Sequence, residues 1–112
     1  MPLEAADRSY LLDMLRHAQG AMDAVAGMTF EQYELDENLR LSIERRVEII
    51  GEAARRLSVE FQKAHPDVPW ARIVAQRNVL AHNYGEIDDE LLWRVATVHI
   101  PQLVNSLKMI LG

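Results

Sequence analysis

Residues 36–57 read DENLRLSIERRVEIIGEAARRL, and the spacing of their apolar side chains decides the fold class. Leu39, Ile43, Val47, Ile50, Ala54 and Leu57 recur at steps of three and four, the repeat of one face of an α-helix. Asp36 stands where an N-cap belongs, so the longest helix of the chain is expected to start just after it. On the N-terminal side, Leu11, Leu15, Ala18, Met22 and Val25 repeat in the same way, and Gly27 ends that helix. Thr29 and Gln32 have the spacing of a capping box, which opens a short turn through Tyr33. On the C-terminal side, a short helical piece from Ser58 to His65 stops at Pro66. Val68-Pro69-Trp70 restarts the chain, with Pro69 suited to a first helical turn. That helix is expected to run to about Tyr84 and to stop at Gly85. Asp88 or Asp89 caps the last helix, whose stripe is Leu92, Val95, His99, Leu103, Leu107 and Ile110. Pro101 inside it is predicted to kink or locally open it.

No segment alternates apolar and polar residues over strand length, and Asn-Gly and Asp-Gly turns are absent. The expectation is therefore an all-α bundle of about four main helices plus short helical turns, one domain over residues 1–112. Tyr10, Met14, Met22, Met28 and Trp93 read as core or interface at helical spacings. A hydrophobic fraction of 49% supports a packed core and excludes a disordered chain. With no cysteine there is no disulfide scaffold and no thiolate zinc site. The opening MPLEAADRSY lacks the basic start and apolar run of a secretory signal, and no stretch approaches a membrane span. The expected compartment is the cytoplasm.

The net charge of −5 argues against bulk electrostatic attraction to nucleic acid. The charge is unevenly spread, however. From Arg40 to Arg77 eight bases stand against five acids, +3, while the remainder carries −8. Two readings of that basic middle stand: a local polyanion site, or a solvated helix laced with ion pairs in which Glu44 and Glu48 face Arg40 and Arg45.

The chemistry concentrates between Arg77 and Tyr84. Asn78 and His82 are i,i+4 neighbours, Arg77 and Tyr84 are i,i+7, and Arg77, Asn78 and His82 share an arc of roughly 140°. A guanidinium beside an imidazole suits phosphodiester chemistry, the one stabilising charge on phosphorus oxygens while the other moves a proton. A histidine near a helix C-terminus also complements the helix dipole, so spacing alone leaves a structural role open. His17, His65 and His99 show no ligand spacing, so neither a metal nor another cofactor is expected. His99 reads as a hydrogen-bonded core or interface residue. Glu52 either orients side chains of the Arg77–His82 segment or pairs with Arg55 or Arg56.

The run Arg77-Asn78-Val79-Leu80-Ala81-His82-Asn83-Tyr84 is similar to the Arg-x4-6-His signature of the HEPN superfamily. Its fuller form, Arg-x4-His-x-Tyr, resembles the HepT toxins of the HepT/MntA type VII toxin–antitoxin systems. Glu44 to Ala53, Val68-Pro69-Trp70, Ile87-Asp88 and Ile100-Pro101-Gln102-Leu103 resemble that family too, so the likeness spans the chain. It implies a HEPN-type bundle working as a homodimer, and a metal-independent endoribonuclease toxin that cuts RNA to a 2′,3′-cyclic phosphate. On this resemblance Arg77 and His82 are the catalytic pair, with Asn78, and Glu52 on the first of its two readings, in support. Tyr84 would accept AMP from a partner, an MNT-type nucleotidyltransferase antitoxin, and modification would silence the enzyme. The alternative is a non-catalytic HEPN module that binds and regulates such a nucleotidyltransferase.

Overall fold

The computed structural model describes residues 3–82 and 88–112, and for residues 77–82 the backbone alone. Helices account for nearly all of it: α1 (Ala5–Val25), α2 (Phe30–Leu35), α3 (Glu37–Arg56), α4 (Val59–Ala64), α5 (Trp70–His82), α6 (Asp89–Arg94) and α7 (Ile100–Leu111). Among the described residues there is no strand, and no helix is long and apolar enough to cross a membrane.

The helix starts follow short-range hydrogen bonding. Gly27 takes a positive φ of 75° after α1, a conformation that other L-residues avoid. The Thr29 hydroxyl then accepts from the Gln32 amide at 3.2 Å, while Gln32 Oε1 accepts from the Thr29 amide at 2.9 Å, a complete capping box. The Asp36 carboxylate accepts from Leu39 N at 3.0 Å and starts α3. The Ser58 hydroxyl accepts from Phe61 N at 3.2 Å and starts α4. Of the two candidates for the last helix it is Asp88 that caps, accepting from the amides of Glu90 and Leu91. The expected stop at Gly85 lies outside the described residues.

The expected single last helix is three pieces. Between α6 and α7 lies a π-helical turn, Val95–His99, closed by Ile100 N donating to Val95 O. Pro101 explains it. A proline has no N–H for the helix ladder, and its ring collides with the carbonyl four residues back, here that of Thr97. Widening the preceding turn removes the collision without breaking the helix, and Thr97 Oγ1 donates to Trp93 O at 2.7 Å beside it.

α3 packs against both α1 and α5, and α7 covers the other side of α1. The buried stripe of α1 is rotated from the expected one: Leu11, Met14, Ala18, Ala21 and Val25 are buried, while Leu15 and Met22 flank the core half-buried. Asp7 lies on the same buried face at the first turn. The Asp7 carboxylate accepts from Ser58 N at 2.9 Å and Ser58 Oγ at 2.7 Å, tying the start of α1 to the corner between α3 and α4. At the other end, Tyr33 is fully buried in a cluster with Phe30, stacked at a centroid distance of 6.4 Å, and Trp93, tilted at 5.3 Å.

Candidate active site

The chain is brought to α5 by an aromatic corner. Trp70 Nε1 donates to His65 O at 2.9 Å, and the Phe61 ring meets the edge of Trp70 at 5.8 Å. Pro69 precedes the first turn, where its missing N–H costs nothing, and its carbonyl accepts from Ile73 N at 3.1 Å. Trp70 and Ile73 are buried, so the start of the helix is fixed on both sides. Arg77, Asn78 and His82 all stand on α5. At the helical rise, Arg77 and His82 are separated by about 7.5 Å along the axis, and Asn78 lies one turn before His82. Tyr84 lies outside the described residues.

α3, against which α5 packs, carries Glu52. The Glu52 carboxylate accepts from Arg55 Nη2 at 2.7 Å and from Arg56 Nε at 2.9 Å. The pairing with Arg55 and Arg56 is thus realised with both at once. Elsewhere the basic segment departs from the expected ladder. Arg45 pairs with Glu48 at 2.6 Å, as expected, while Arg40 makes its ion pair outside its own helix, with Asp89 at 3.7 Å. Burial, with the Asp89 charge beside it, pushes the Glu44 carboxyl upward from its ordinary value, against the opposing charge of Arg40.

Arg46 also turns away from a ladder. Its guanidinium lies over Gly20 of α1, where a Cβ would collide with it, and Nη1 sits 3.2 Å from His17 Nδ1. Arg16 Nη2 is 3.3 Å from the other ring nitrogen. A neutral imidazole can accept at one nitrogen only, so one of these two contacts is a hydrogen bond and the other is not. Burial and both arginines push the His17 pKa below its ordinary value.

His99, on the π-helical turn, was expected to be hydrogen-bonded in the core. Its Nδ1 is buried and has no hydrogen-bond partner among the described residues. Burial, followed by the charges of Arg72 and Arg94, lowers its pKa from the ordinary value. Beside this residue lies a cavity of about 110 Å³ between α3, the first turns of α5, the π-helical turn and α7. Val47, Ile50, Ile73, Val95 and Leu103 form its apolar walls, and His99, Arg72, Gln76 and Ser106 line it as well. Arg72 and Gln76 are i,i+4 neighbours whose spacing was visible in the sequence. The partner across the cavity was not, because His99 is brought there by the π-helical turn.

The described residues form an all-helical bundle with Arg77, Asn78 and His82 on one helix. The family model described as ribonuclease HepT-like matches residues 14–110, and the chain belongs to that family. A Caldanaerobacter subterraneus protein that carries a provisional RNase name is 35% identical over 104 residues, covering 93% of this chain and 93% of its own. A Methanocaldococcus jannaschii protein, also provisionally named an RNase, is 29% identical and covers 92% of this chain and 94% of its own length. A Thermococcus cleftensis protein named probable ribonuclease HepT is 28% identical over 90% of this chain and 92% of its own. No solved structure matches the chain.

Proposed function

We propose that the chain is a metal-independent endoribonuclease, the toxin of a toxin–antitoxin pair, acting as a homodimer in the cytoplasm. The match of the HepT-like ribonuclease family carries this reading, because it takes in the whole of α5 and with it Arg77, Asn78 and His82. In the reaction a 2′-hydroxyl of RNA attacks the adjacent phosphorus and the bond to the 5′-oxygen breaks. The products are a 2′,3′-cyclic phosphate and a 5′-hydroxyl end. Neutral His82 of one protomer takes the proton of the attacking hydroxyl, and the protonated His82 of the partner subunit gives one to the leaving oxygen. Arg77 neutralises the charge that grows on the non-bridging oxygens, a task its planar fork performs better than an ammonium. Asn78 supports the pair from one turn before His82, and Glu52 supports it from α3.

Tyr84 is the control point. A nucleotidyltransferase antitoxin of the MNT type transfers AMP to its hydroxyl, and the added phosphate competes with the RNA backbone for Arg77. To test the site, Arg77→Ala and His82→Ala are assayed on RNA beside their melting curves. Each is expected to lower cleavage by about a hundredfold or more with an unchanged thermal transition. Folded variants that still cut RNA at the wild-type rate would remove both residues from the mechanism.

A further inference from the structure

We infer that Arg16, His17 and Arg46 form a phosphate-binding notch on the seam of α1 and α3, a second anchoring point for the RNA backbone away from α5. The inference rests on the ribonuclease reading, and three observations support it.

The first is one acceptor facing two donors. Arg46 Nη1 lies 3.2 Å from His17 Nδ1, and Arg16 Nη2 lies 3.3 Å from His17 Nε2. Two guanidinium groups thus approach the two nitrogens of one ring, and a neutral ring accepts from only one of them. A phosphate group carries several acceptor oxygens and a full charge, so it satisfies both guanidinium groups at once. The ring is then released from accepting and, protonated from solvent, becomes a third donor.

The second is charge. Arg40, Arg45, Arg55 and Arg56 each have a carboxylate within ion-pair distance, whereas Arg16 and Arg46 have none among the described residues. Of the charges that act on His17, those of Arg16, Arg46 and Arg45 are positive, and Asp13 supplies the negative one. Burial and these three cations together hold the ring below its ordinary pKa. An anion seated beside it acts in the opposite direction.

The third is a seat for Arg46. Its guanidinium lies over Gly20, in the space that a Cβ at that position would take. Glycine inside a helix is less stable than alanine. In α1 the missing side chain lets a cation of α3 reach across the seam and stop beside His17. Arg46 and His17 are half-buried, and the exposed Arg16 completes the notch from the solvent side. Phosphate contacts of this kind fix where a strand lies and read no sequence. The helix with Arg77 and His82 packs on α3 along a separate seam, so a strand held at both places passes over α3.

The test has two arms on the full chain. Inorganic phosphate is titrated while the imidazole NMR signals of His17 are followed, with chloride at equal ionic strength as the reference. Phosphate is expected to move the His17 signals to saturation and to raise the pKa of the ring, and chloride to do neither. Gly20→Ala keeps every charge and displaces only the end of a flexible side chain. It should fold as wild type does and lose most of the response, as should Arg46→Gln. Asp13→Asn removes the opposing charge and should strengthen the response. In the second arm, the His82→Ala chain binds an oligoribonucleotide of about 12 nucleotides, within the usual span of a single-strand site. Adding Gly20→Ala or Arg46→Gln is expected to weaken that binding about threefold at low salt, the effect of one half-exposed charged contact. Arg46→Gln should also flatten the dependence of log affinity on log salt by about 0.7, the loss of one phosphate contact on a single strand. His17 signals that follow ionic strength alone, or a phosphate response kept by folded Gly20→Ala and Arg46→Gln, would overturn the notch. A phosphate response with oligonucleotide binding unchanged in both variants would overturn its assignment to the RNA backbone in favour of a free phosphate group. If wild type cuts no RNA, the ribonuclease reading fails, while the phosphate titration still decides whether the notch binds the anion.

Discussion

Replacing Asp7 by alanine is expected to destabilise the protein more than any surface substitution would. Asp7 is 5% exposed and is the one buried charged side chain among the described residues. Its carboxylate accepts two hydrogen bonds from Ser58, at 2.9 Å from the amide and 2.7 Å from the hydroxyl. A hydrogen bond to a charged group contributes about 1.5–3 kcal/mol, and a buried donor left without a partner adds a penalty of similar size. Because Ser58 is only half-buried, water recovers part of the loss. The net cost should then be about 2–4 kcal/mol, a large share of the roughly 5–15 kcal/mol that holds such a domain together. At about 4 °C per kcal/mol for a chain of this size, the melting temperature should fall by roughly 8–16 °C. Asp7→Asn keeps one acceptor and should lose about half as much. Urea titration of the three proteins, with an unchanged m-value, gives the numbers. Hydrogen exchange should show α4 loosening first, since Ser58 is also its N-cap. If Asp7→Ala lies within about 0.5 kcal/mol of wild type, the argument for this tie is wrong.

Two further outcomes are expected. His17 and His99 both titrate below their ordinary 6.5 in the folded protein. The unfolded chain therefore binds more protons between those values and 6.5, and stability should fall as pH drops from about 7.5 through that window. Urea unfolding at several pH values should show this slope, and His17→Gln with His99→Gln should flatten it; a slope kept in the double variant would contradict the assignment. Tyr84→Phe should cut RNA yet resist neutralisation when co-expressed with the cognate nucleotidyltransferase, read by growth and by the mass of the Tyr84 peptide. A phenylalanine variant silenced as well as wild type would move the switch elsewhere.

What was legible in the sequence was what local chemistry controls. Thr29 with Gln32, Asp36 with Leu39 and Asp88 with Leu91 are caps made across three residues, so their spacing states the bond. Pro101 announced a disturbance because its clash is with its own helix, although only the structure shows that a π-helical turn absorbs it. Contacts between distant segments left no such mark. Asp7 and Ser58 are 51 positions apart, and nothing in either neighbourhood names the other. Arg40 was expected to pair along its own helix and instead found Asp89, because packing of α6 beside α3 offers a second partner that periodicity cannot register. The cavity at His99 needs four elements to assemble before it exists. For the site itself, the residue types from Arg77 to His82 were readable, and the structure places them on one helix as their spacing predicted.

The measurement that tests the account most directly is cleavage of a defined RNA by the purified, unmodified protein in EDTA, with the products' ends determined by mass spectrometry. Arg77 and His82 need no cation to neutralise charge or move a proton, so cleavage should persist in chelator and leave 2′,3′-cyclic phosphate and 5′-hydroxyl ends. Loss of cleavage in EDTA that magnesium or manganese restores, or products with 5′-phosphate ends, would contradict it.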